Sequence, residues 1–146
     1  MSKSNTFENE LLRLLFLNEA LTLIGDAAGL QPSAAPGSLY VSLHTADPGE
    51  GGTQSTSEAT YTGYTRVPVA RSGVGWTVTG NAVENTAAVD FGECSAGSSN
   101  ATHFGVGCSS SGVGKLLHKG ALSTPLAVSV GVQPRFVAGS LDIAED

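Results

Sequence analysis

The chain has 146 residues and a mass of 14.7 kDa, the size of one ordinary domain, and the scaling of surface with mass lets about two-thirds of its surface be buried without a metal or disulfide staple. At 40% hydrophobic and 14% charged it is not a disordered chain, and its apolar runs are too short and interrupted for a membrane span. A net charge of -6 with pI near 4.9 argues against nucleic acid as the partner. Nineteen Gly, 17 Ser and 13 Thr make up about a third of the residues, a composition suited to many turns and Thr- and Val-rich strands. So little charge also protects the surface poorly against association, as expected of a chain that works bound to something.

Asn5-Thr6-Phe7-Glu8 offers a helix N-cap with Glu three residues on, and Glu8 and Glu10 suit the positive end of a helix dipole. The Leu-rich run that follows, stopped by Gly25 and Gly29, predicts a helix of about 18 residues, roughly 27 Å long. Its apolar residues do not keep to one stripe. Leu11, Leu14, Leu15 and Leu21 can share a face, whereas Leu12, Phe16 and Leu23 fall elsewhere, so the helix needs cover on several sides. One reading is a long helix crossing a sheet with some greasy exposure; the other is a helix wedged against a second subunit. Glu8, Glu10, Asn18 and Glu19, with no basic start or small-residue cleavage site, argue against a signal peptide.

Residues 31–37 form a Pro/Ala linker, after which the pattern turns to strands: Ser38–His44, Tyr64–Arg71, Gly75–Thr79, Thr86–Phe91, Ala101–Cys108, Lys115–Ala121, Ala127–Val130, Pro134–Val137 and Ser140–Ile143. Ser72-Gly73-Val74-Gly75 and Ser111-Gly112-Val113-Gly114 both read as hairpin tips. Asp47–Thr62 is a polar, Gly-rich loop long enough to be functional or mobile. The predicted fold is mainly β, an antiparallel β-sandwich of jelly-roll type with one N-terminal α-helix: a helical arm over 1–30, a linker over 31–37 and a β-domain over 38–146.

No chemistry stands out. Ser42, His44 and Asp47 lie close in sequence, but no nucleophile elbow accompanies them, and His44 reads as a strand-end residue capping the next turn. His44, His103 and His118 lack metal-ligand spacing, and no phosphate-binding glycine loop is present. Cys94 and Cys108 flank a Gly/Ser turn and could face each other across a hairpin, where a disulfide is geometrically open to them, but free thiols in a reducing cytoplasm are favoured. Trp76, Tyr40, Tyr61 and Tyr64 could build a glycan-stacking platform, although core roles are commoner for such residues. No catalytic, metal or cofactor residue is assigned.

Several blocks resemble a family of small tailed-bacteriophage virion proteins described as tail-fibre-like. They are Phe7-Glu8-Asn9-Glu10-Leu11-Leu12 in the helix, Leu39 through Glu50 (Leu-Tyr-Val-Ser-Leu-His-Thr-Ala-Asp-Pro-Gly-Glu), Tyr61 through Arg71, Ala101 through Gly105, and Phe136 through Ile143. The resemblance implies a non-enzymatic virion protein assembled in the host bacterial cytoplasm, and no catalytic residue comes with it. With no sustained heptads and no long repeat, the chain suits decorating a surface or plugging a joint better than forming a shaft. The leading expectation is therefore a capsid decoration or cement subunit. It would bind itself as a homo-oligomer and another virion protein, the major capsid protein first, with no nucleic acid, membrane or cofactor. Leu12, Phe16, Leu23, Leu15 and Leu11 would be its assembly anchors. The alternative is a tail-associated, fibre-like or receptor-binding subunit using Trp76 and the Asp47–Thr62 loop.

Overall fold

A computed structural model describes Ser2–Asp146. It is mainly β with antiparallel sheets and a short N-terminal helix, as the sequence predicts. The described residues form two compact units, each assembled from distant parts of the chain. The first joins the N-terminal segment through Ser38 to Ala70–Ala88 and Val137–Asp146; the second joins Leu39–Val69 to Val89–Phe136.

In the first unit, α1 (Asn5–Leu12) continues into a π-helical turn, Arg13–Leu17. The N-cap is Ser4, one residue earlier than expected; its hydroxyl accepts from the Phe7 amide at 3.4 Å. The helix is also far shorter than predicted. It stops at Asn18, which takes the left-handed conformation (φ 57°) and exchanges two 2.9 Å hydrogen bonds with the backbone of Ser33. The guanidinium of Arg71 then donates to the Leu14 and Leu15 carbonyls, each at 2.7 Å, and to the Pro36 carbonyl at 3.1 Å. A cation on carbonyls that have lost their helical partners satisfies them and opposes the negative end of the helix dipole. Residues 18–24 are therefore outside the helix, which leaves Leu21, Leu23 and Ile24 off it.

Beside this helix lies a three-stranded sheet, β3 (Trp76–Thr79), β4 (Ala82–Asn85) and β9 (Asp142–Ala144), in that order. The sequence reading missed β4. It pairs with β3 through a tight turn at Gly80-Asn81, with Val78 opposite Val83 and Gly80 at φ 61°. The Ser72–Gly75 segment is a turn but not the expected hairpin tip, since the strands on either side of it belong to different sheets. Leu12, Phe16, Leu21, Trp76, Val83 and Leu141 make the core of the unit, with the Phe16 and Trp76 rings edge to face at 4.9 Å. Buried Asn85 staples the C-terminal segment: its amide donates to the Ala87 and Val137 carbonyls and accepts from the Leu141 N–H, all within 2.9 Å.

The second unit is built on a four-stranded sheet in the order β2 (Val67–Ala70), β1 (Ser38–His44), β6 (Ser99–Gly107) and β7 (Leu116–Val128). A ribbon of β5 (Val89–Asp90) and β8 (Arg135–Phe136) completes it. β1 keeps its predicted bounds and pairs with β6 from Tyr40 opposite Gly107 to His44 opposite His103. The Ser111–Gly114 segment lies in the β6–β7 hairpin loop, as predicted. Two predicted strands are one, β7, in which residues 122–125 bulge out opposite Thr102 alone. Tyr61, Tyr64, Phe91, Phe136 and Phe104 follow one another in ring contact, centroids 5.5 to 6.1 Å apart, so these aromatics pack the interior and the ribbon.

Candidate functional site

The long loop after β1 is pinned rather than free. His44 bridges to Glu58, the Thr45 amide donates to the Ser57 carbonyl at 2.7 Å, and the Ala59 amide donates to the Leu43 carbonyl at 2.9 Å. Gln54, fully buried, reaches from the loop into the unit. Its side-chain oxygen accepts from the Ser109 N–H at 2.9 Å, and its own backbone N–H donates to the Gly114 carbonyl.

Beneath the loop lies a buried polar network. Glu58 meets Arg66 in a two-pronged ion pair, Nε to Oε1 at 2.7 Å and Nη2 to Oε2 at 2.8 Å. The Tyr64 hydroxyl donates to the same carboxylate at 2.8 Å and accepts from the Leu43 amide at 3.1 Å. Arg66 also donates to the Ser109 and Gly112 carbonyls, so one guanidinium ties the loop to the β6–β7 hairpin tip. A planar fork that places its donors on carboxylate and carbonyls together is a task for Arg rather than Lys.

Ser42 and His44 face each other from the same side of β1. The His44 Nδ1–H donates to the Thr56 carbonyl at 2.8 Å, which leaves Nε2 to accept from the Ser42 hydroxyl at 2.8 Å. Burial holds the His44 pKa below 6.5, so the ring is neutral in the fold at neutral pH. Both residues are fully buried, and Asp47 is elsewhere, paired at 3.0 Å with Lys119. The pair has no route to a substrate, and its work is to hold the loop. Gly105 makes room for it: a Cβ there would stand 2.7 Å from His44 Nε2 and 2.8 Å from Ser42 Oγ.

Neither of the other candidate chemistries gathers a site. Trp76 is completely buried in the first unit and Tyr61 nearly so in the second, which removes the glycan platform and the receptor-binding use of Trp76. Among the described residues no group of three or more His, Cys, Asp or Glu could hold a metal ion, and no helix is long and apolar enough to cross a membrane. Cys94 is buried, Cys108 is exposed, and both are free thiols.

Residues 2–144 match the family described as Podophage GP4 fiber I protein gp80. The chain belongs to that family. No curated protein matches it. Family membership makes this a phage structural protein, in agreement with what the sequence blocks implied. Within this family member the Leu39–Glu50 block supplies Ser42, His44 and Asp47, and the Tyr61–Arg71 block supplies Tyr64, Arg66 and Arg71. Those side chains hold loops and cap the helix.

The expected anchors land in three different environments. Leu12 and Phe16 are 0% exposed inside the first unit, where they face Trp76 and the sheet, so they are core and present nothing to a partner. Leu11 and Leu15 are half-buried. Leu23 alone stands out, 80% exposed and beyond the helix. It sits in a loop closed by two hydrogen bonds between Leu21 and Leu30, at 2.8 and 3.0 Å, and stiffened by Asp26, whose carboxylate accepts from the Ala28 and Gly29 amides. Leu23 itself is held at φ 62°, a conformation a bulky residue seldom takes. Position 29 must be glycine, because a Cβ would lie 2.0 Å from the Leu21 carbonyl oxygen. Ile24, next to Leu23, is also exposed, an apolar tip that the sequence reading had assigned to the helix.

Proposed function

We propose that the chain is a non-enzymatic subunit of a virion fibre, joined to copies of itself and to a second virion protein. The observation that carries this reading is the extent of the family match. It covers residues 2–144, so both units together, rather than an appended segment, correspond to a protein described as a fibre protein. The pinned loop and the satisfied ion pair support it, because a module that transmits force or position along a particle gains from having no slack connections. The capped helix is in keeping with the same role.

A reconstruction of the phage particle at moderate resolution tests the reading. Copies of this fold related by the symmetry of a fibre are expected. Copies spread over the capsid lattice would instead establish the decoration role, with the major capsid protein as neighbour, and absence from the particle would refute both. Leu23→Asp tests the exposed tip. Reduced incorporation with unchanged folding would make Leu23 a docking contact, and full incorporation would remove it from the interface.

A further inference from the structure

The two edges of the four-stranded sheet differ sharply. β2 has four residues and carries Pro68, both of which discourage a further strand. β7, at the other edge, has 13 residues, about twice an ordinary strand, and no proline before Pro125. Strands exposed in this way are commonly guarded by charge. Here residues 94–141 contain no Asp or Glu, although the chain has 13 acidic residues, and Lys119 is the one Lys or Arg in β7. Lys119 is no guard, since its ammonium lies 3.0 Å from Asp47 and 3.2 Å from Glu50 of its own chain.

We infer that β7 pairs antiparallel with β7 of a second copy. The occupant follows from closure and from the lack of acidic charge on the strand itself. An acidic strand would find its cation already neutralised. A second β7 brings no acidic residue of its own, and the one excess negative charge of each copy's Lys119–Asp47–Glu50 cluster sits on carboxylates that are 54% and 97% exposed and screened by water and salt. Self-pairing about a two-fold axis uses the same surface on both copies. It would give a continuous sheet of order β2-β1-β6-β7-β7-β6-β1-β2, whose outer edges are the two short, Pro68-bearing strands. The assembly then stops at two copies rather than growing. The regular ladder from His118 to Ala121 is the pairing segment, and the bulge at residues 122–125 ends it.

The test uses the full chain in solution, independently of where it sits on the particle. Sedimentation should show a dimer, and amide exchange across residues 116–121 should slow as concentration rises. Ala121 closes the pairing segment and Ser123 lies just beyond it at the start of the bulge, both exposed, so Lys at both should leave the circular dichroism and melting temperature unchanged while weakening the dimer at least about tenfold. The matching Glu pair should do the same, and mixing the Lys and Glu variants should restore a dimer. A monomeric wild-type chain, a dimer indifferent to both variants, or no rescue on mixing would overturn the inference. This pairing deepens the self-association in the fibre reading, so a monomer would withdraw that self-association, while the place in the particle is tested separately by the reconstruction.

Discussion

Replacing Arg66 by Met removes the centre of the buried network while keeping most of the side-chain volume. Arg66 is 6% exposed and its guanidinium makes four hydrogen bonds, two to Glu58 and two to the Ser109 and Gly112 carbonyls. Removing one partner of a buried pair strands the other charge, at about 3–5 kcal/mol. Two features place the loss near the lower end. Glu58 retains the Tyr64 hydroxyl and its side chain is 16% exposed, while the freed carbonyls lie in a hairpin loop that water can reach. A loss of about 3 kcal/mol is therefore expected, a large share of the ~5–15 kcal/mol that stabilises a typical domain, and it should lower the melting temperature by roughly 6–12 °C. Guanidinium unfolding of Arg66→Met, Glu58→Gln and the double variant gives the coupling energy, expected above about 1.5 kcal/mol. A single-variant loss below about 1 kcal/mol, or additive effects in the cycle, would refute the assignment of the network as the clasp of the loop.

Other substitutions and conditions probe neighbouring parts of the same construction. Because His44 has a folded-state pKa below its unfolded value, the stability it confers is complete above about pH 6.5 and is lost as pH falls toward the folded value. Denaturation between pH 8 and pH 5 should show this slope in the wild type, and His44→Gln should flatten it. Gly105→Ala drives a methyl group against His44 and Ser42 and should cost about 1–3 kcal/mol by the same measurement; a neutral outcome would mean the pair can shift at no cost. Burial raises the Tyr61 pKa to about 12 and that of Tyr64 higher still, so absorbance titration of the folded protein should show both phenols un-ionised at pH 11. Arg71→Leu should unravel the π-helical turn, seen as faster amide exchange over residues 14–19, with a loss of about 1.5–3 kcal/mol.

Where local pattern and tertiary demand agreed, the sequence was a good guide. β1 combines β-branched, aromatic and Leu residues with a linker before it and a polar loop after it, and its predicted bounds match the structure. The Ser111–Gly114 tip lies between two strands that do pair. Elsewhere a stronger signal hid the correct one. Gly25 looked like the helix stop, whereas Asn18 performs that role, because Ser33 and Arg71, distant in sequence, hold it there. The Gly80-Asn81 turn carries the signature of a two-residue hairpin, but the short β4 beyond it has too little apolar pattern to stand out as a strand. The bulge in β7 broke the alternation and divided one strand in two.

Two of the five expected anchors, Leu12 and Phe16, are core for a reason that reaches beyond this chain. Apolar residues on a helix were assigned to an outside partner because one small sheet could not cover every face of an 18-residue helix. The helix is short, and the sheet that covers Leu12 and Phe16 is made of strands contributed by residues 76–85 and 142–144. Demand for cover is thus a property of where a helix ends, and the end here is set by left-handed Asn18, fastened to Ser33, with Arg71 capping the freed carbonyls from far along the chain. The same logic applies to the sequence blocks that carry the resemblance. Several of their polar members have partners in the fold: His44 on Ser42 and Thr56, Arg66 on Glu58, Arg71 on the helix end. Those side chains fasten the fold, so contacts with other virion proteins are to be sought elsewhere on the chain. In this chain that directs attention to the Leu23 tip and the open edge of β7, which lie in none of those blocks.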